Sequence, residues 1–132
     1  MNIRFLSRSP RSLSKDRSPH VTDEVVNTFI SLTGLLLSIP GVIFLLKKAL
    51  ATGGPWSMTG CVFYGIGLIS VFLSSALHHG LDGPYPLEHR LRQLDYCAIF
   101  LLIAGSFTPF CLILFRNLWG FSLLAAVWIT GL

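Results

Sequence analysis

Charge is what this sequence has least of. Its 132 residues include only 10 Lys or Arg and 6 Asp or Glu, 12% in all, whereas soluble domains carry about 25%. So few charges cannot cover a water-wetted surface, which excludes an ordinary soluble domain. Cysteine is sparse too: Cys61, Cys97 and Cys111 form no Cys-x-x-Cys pair and lie in apolar runs. They read as buried neutral thiols and say nothing of an oxidising compartment. The basic residues form no patch interleaved with aromatics, so the net charge of +4 argues for no nucleic-acid partner. Alternating strands of about ten residues, the requirement of a membrane β-barrel, are also missing.

What the chain has instead is apolar length. Hydrophobic residues make up 52% and the mean hydropathy is +0.67. Residues 25–46, 56–77 and 96–115 each run without Asp, Glu, Lys, Arg or His, and about 20 such residues suffice to cross a bilayer as a helix. A fourth uncharged stretch, 118–132, has 15 residues and reaches only about 22 Å. The fold class is therefore all-α, a polytopic transmembrane bundle with three complete spans and a short fourth. Two regions follow: a basic tail over 1–20, rich in Ser and Arg and expected to be disordered, and a transmembrane domain over 21–132. A cleaved signal peptide does not fit the long apolar run that follows the tail, whereas an organellar transit peptide shares the tail's composition.

Orientation follows from counting Lys and Arg on alternate sides. Arg4, Arg8, Arg11, Lys15 and Arg17 precede the first span, and Arg90 and Arg92 fall in the 80–92 connection. Lys47, Lys48 and Arg116 lie on the opposite side. The positive-inside rule puts the N-terminus in the cytoplasm, with a plasma (inner) membrane as the expected location. Trp56 and Trp119 open spans, where interfacial aromatics belong.

Against this background the polar residues within spans stand out, since an ionisable side chain there costs about 2.5 to 3.5 kcal/mol on insertion scales. Ser75 and His79 are four apart and share a helix face, with His78 turned away by about 100°. Asp95 opens the third span, and His79 and Asp95 flank one connection, at one depth if their helices are antiparallel neighbours. Imidazole and carboxylate are suitable zinc ligands. The plainer alternative makes His79 an interfacial histidine and Asp95 an acid favoured by a helix N-terminus. Glu24, Asn27, Ser31 and Gly34 form a stripe on the first helix that can hydrogen-bond a neighbour. His20 and His89 read as exposed loop residues.

Glu24-Val25-Val26-Asn27, Ser75-Ala76-Leu77-His78-His79 and Leu91-Arg92-Gln93-Leu94-Asp95, leading into Ala98 through Phe110, resemble the hemolysin III branch of the progestin and adipoQ receptor family. The likeness covers about residues 21–132 and is most specific over 91–110. It implies a bundle of seven helices with a cytoplasmic N-terminus. It also implies a zinc site near the cytoplasmic face, with His79 as a ligand, Asp95 a ligand directly or through water, Ser75 a supporting group, and a His-x-x-x-His pair on the last helix. Asp95 and Ser75 are then also the candidates for a catalytic role. Departures are His78 where the family has tyrosine, Tyr96 where it has histidine, and Ser31 where bacterial members have histidine.

No His-x-x-x-His occurs in this sequence, so the chain is expected to be a truncated member that lacks a full ligand set. The family implies either a zinc-dependent hydrolase of lipid amides or a pore-forming, haemolytic or membrane-homeostasis protein without catalysis. Membrane lipids are the expected partners, and a homo-oligomer is the other expected association.

Overall fold

The structure, a computed structural model, describes residues 20–81 and 84–131. The tail expected over 1–20 lies, but for His20, outside the described residues. Four helices follow in order: α1 (His20–Thr52), α2 (Pro55–Gly80), α3 (Tyr85–Ile113) and α4 (Leu118–Gly131). Among the described residues there is no strand. Three helices are long and apolar enough to cross a membrane: Asp23–Ala51 within α1, all of α2 and all of α3.

The first three helices outrun the uncharged stretches that announce them. Lysine and glutamate are good helix formers, so α1 continues through Lys47 and Lys48. It stops at glycine: Gly54 adopts φ 48° and ψ 179°, a region that side chains with a Cβ rarely enter. Pro55 then starts α2 where its missing N–H is not needed. The largest correction concerns α3. Pro84 precedes it and Pro86 lies in its first turn, so the connection expected over 80–92 is largely helix. Asp95 therefore sits well inside α3 instead of opening it, and the alternative that made it a helix-terminal acid loses its basis. Pro40 and Pro109 lie inside α1 and α3. The short α4 has 14 residues, about 21 Å, and Asn117 caps it by accepting the Gly120 N–H through Oδ1 at 2.9 Å.

Short connections make consecutive helices antiparallel. On α1 and α2 the partners run in opposite directions, Glu24 with His79, Ser31 with Ser75 and Val42 beside Gly65. α2 packs against both α1 and α3, and α4 packs on α3. Most of the buried residues are small, Ala49, Cys61, Ala76, Ala98, Ala104 and Cys111 among them, with Val42, Leu91, Leu112 and Glu88 the larger exceptions, and Gly60, Gly65, Gly67 and Gly105 lie at the helix contacts. Phe29, Leu36, Phe44, Leu118 and Trp119 face outward. Such an arrangement suits hydrocarbon as the solvent, where large side chains lose nothing by exposure and close backbone approach supplies the cohesion.

Candidate metal centre

The end of the bundle formed by the start of α1, the end of α2 and the first half of α3 collects most of the polar side chains. His78, His79 and Asp95 each bring one potential ligand atom within 4.8 Å of the other two. α2 carries both imidazoles on its last turn, and α3 runs past that turn because it begins at Tyr85, ten residues before Asp95. The geometry thus unites His79 with Asp95, as their positions on either side of one connection predict. It departs from the expectation for His78: its ring lies 4.8 Å from that of His79, tilted by 49°, and joins the cluster. Consecutive helix positions differ by about 100° in direction, yet each histidine still brings a ligand atom within 4.8 Å of the other and of Asp95 on α3.

Hydrogen bonds from neighbouring groups hold the cluster. Ser74 Oγ donates to Asp95 Oδ1 at 3.2 Å and also contacts its own helix at the Val71 carbonyl, 3.1 Å away. His79 Nδ1 is 2.7 Å from Glu24 Oε2, with the two side chains 22% and 29% exposed. Ser75, a candidate for a supporting or catalytic role, accepts a hydrogen bond from Ser31 at 2.9 Å and so joins α2 to α1. Asn27 is exposed, whereas Glu24 is half-buried and Ser31 buried. The stripe is thus divided between α2 and the surroundings. His89 is exposed and stacks on Tyr85, ring centroids 6.0 Å apart.

Two imidazoles and a carboxylate are donor types that zinc accepts, and they match the three protein ligands usual in catalytic zinc sites. Their spread is somewhat wider than the ~3.3 Å edge of a tetrahedral zinc shell. The His79–Glu24 contact also fits, because metal-bound histidines characteristically donate their second ring N–H to a carboxylate. The cluster can hold a metal ion on these grounds. Two contributors escape sequence reasoning: Ser74 as a partner of Asp95 and Glu24 as a partner of His79.

Beside the cluster lies a cavity of about 430 Å³ between α2, α3 and α4, lined by Leu73, Leu77, Leu94, Leu101 and Trp128 among others. Ser74, the hydrogen-bond partner of Asp95, lines it as well.

Comparison with known proteins places these features. Residues 20–132 match the family described as Haemolysin-III related. The chain is 34% identical over 108 residues to a Hemolysin-3 homolog of Bacillus subtilis (strain 168), covering 82% of this chain and 50% of the relative. To Hemolysin-3 of Bacillus cereus it is 37% identical over 108 residues, covering 82% and 49%. It thus spans about half the length of the curated relatives it matches. No solved structure matches it. With three helices among the described residues long and apolar enough to cross a membrane, and this match over residues 20–132, the chain is an integral membrane protein and belongs to the haemolysin-III-related family.

Proposed function

We propose that His78, His79 and Asp95 bind zinc near the cytoplasmic face of the membrane, and that the site serves the hydrolysis of lipid amides. The observation that carries this reading is the meeting of two imidazoles and one carboxylate within 4.8 Å. Zinc, when bound, polarises a carbonyl and brings the pKa of its water to about 7. The protein's part is to present the donors and the substrate. Ser74 orients Asp95 through the bond to Oδ1, and the adjoining apolar cavity suits an acyl chain whose polar end lies beside that carboxylate. Membrane lipids are then both surroundings and substrate.

The competing reading, permeabilisation of membranes without catalysis, draws on the name Hemolysin-3 carried by the Bacillus cereus relative. One experiment separates the two. The protein, reconstituted into vesicles containing a lipid amide and an entrapped dye, is assayed for amide cleavage and for dye release, before and after zinc removal by a chelator. Zinc-dependent cleavage without leakage is the expected result. Leakage with no cleavage, unaffected by the chelator, would replace hydrolysis with permeabilisation.

The cytoplasmic placement rests on the Lys and Arg asymmetry. With the native cysteines replaced, single cysteines introduced as Ser9→Cys and Thr52→Cys should differ toward an impermeant thiol reagent added outside, and only position 52 should react. Strong external labelling at position 9 would invert the orientation and move the cluster to the other face.

A further inference from the structure

We infer that Glu24, on a different helix from the cluster, is the positioning residue of His79 and selects Nε2 as the nitrogen it offers to metal. The inference rests on the zinc reading above and adds α1 to it. An ionised carboxylate can only accept hydrogen bonds, so the 2.7 Å contact between Glu24 Oε2 and His79 Nδ1 puts the ring proton on Nδ1. The lone pair is then on Nε2. Without such a partner a neutral imidazole distributes its proton between the two nitrogens, and part of the population presents the wrong one.

Glu24 supports the cluster without belonging to it: the three groups that meet within 4.8 Å are His78, His79 and Asp95. Its own position is set by packing. Ser31, seven residues and two helical turns further along α1, is buried and bonded to Ser75 at 2.9 Å. That bond fixes the register of α1 on α2. Phe72 lies against Gly34 one turn beyond, where any side chain larger than hydrogen would collide with the ring. The α1–α2 interface therefore delivers the carboxylate to the last turn of α2, and α1 shapes a site whose three meeting groups, among the described residues, lie on α2 and α3.

The test uses the whole chain in detergent, with zinc alone as the probe and two readouts. In metal-free protein labelled with ¹⁵N-histidine, the His79 ring, assigned by its loss in His79→Ala, should carry its proton on Nδ1. In Glu24→Ala it should shift toward Nε2. Zinc affinity, measured by competition with a chelator, should fall about 10- to 100-fold in Glu24→Ala, the usual effect of losing a partner behind a ligand histidine. Glu24→Gln, whose amide oxygen accepts the same hydrogen bond, should recover the tautomer and most of the affinity; a loss of packing alone would not move the ring proton. A wild-type His79 protonated on Nε2, or equal zinc affinity in wild type and Glu24→Ala, would overturn this inference and leave the zinc site standing. Wild-type protein that takes up no zinc would overturn the zinc reading and this inference together.

Discussion

On the zinc reading proposed above, replacing His79 with alanine, or Asp95 with asparagine, should reduce the zinc that co-purifies with the protein to near zero. Three protein groups are the usual complement of a catalytic zinc, and His78, His79 and Asp95 are the three that meet here. Removing one leaves two, and the loss should exceed the 10- to 100-fold cost of deleting a mere supporting partner. Asp95→Asn keeps the shape and removes the charge, so its effect isolates the carboxylate as an anionic donor. His78→Ala should weaken binding as well, and unchanged affinity there would remove His78 from the ligand set. His89→Ala supplies the control: this side chain is exposed and stacked on Tyr85, apart from the cluster. Elemental analysis of the purified variants, followed by chelator competition, measures all four. Zinc content unchanged in both His79→Ala and Asp95→Asn would return these residues to an interfacial histidine and a half-buried acid.

The parts of this site that the sequence reveals are those marked by cost. His79 and Asp95 are legible because an ionisable group at the edge of an apolar run is expensive, and because one short connection separates the helices that carry them. Glu24 is legible only as a member of a polar stripe. Its partner depends on how α1 slides along α2, and that register comes from Ser31 on Ser75 and Gly34 on Phe72, contacts that no spacing along the chain encodes. His78 is misread for a related reason. The 100° rule describes where a side chain leaves the helix, but the neighbouring helices decide what it reaches: both histidines meet Asp95 on α3, and His79 also meets Glu24 on α1.

The helices follow the same division. Uncharged runs identify three membrane-crossing segments, because hydrocarbon tolerates no unpaired charge or backbone group. They locate the apolar stretch and not the helix ends. Tyr85 to Leu94 carries Glu88, His89, Arg90 and Arg92 and still forms the first turns of α3, for Glu88 pairs with Arg92 four residues on at 3.2 Å and charge does not end a helix. Clustered glycine and proline do so at Gly53, Gly54 and Pro84, and such clusters are the better boundary signals, whereas the single Pro40 and Pro109 lie within helices.

Gly67→Val should lower the stability of the bundle by about 1 to 3 kcal/mol and weaken zinc binding at a distance. A Cβ added at Gly67 would lie 2.8 Å from Leu102 Cα and 3.0 Å from the Leu101 carbonyl oxygen. Both are backbone atoms, so no side-chain rotation relieves the clash. From the opposite side, a Cβ at Gly105 would meet the Phe63 carbonyl oxygen at 2.7 Å, so α2 and α3 touch backbone to backbone along this stretch. Valine at position 67 forces the helices apart. Ser74 lies seven residues beyond Gly67, and Asp95 seven residues before Leu102, each about 10 Å along its helix toward the metal centre. Separation at Gly67 therefore stretches the Ser74–Asp95 bond, now 3.2 Å, and draws Asp95 away from His78 and His79. Gly41→Ala is the matched control, since nothing lies within 4 Å of an added Cβ there; it should be neutral or slightly stabilising through helix propensity. Thermal denaturation in detergent and zinc competition measure the two effects. A Gly67→Val protein that kept both its melting temperature and its zinc affinity would show that α2 and α3 are not in this contact, and the cluster that depends on their packing would lose its basis.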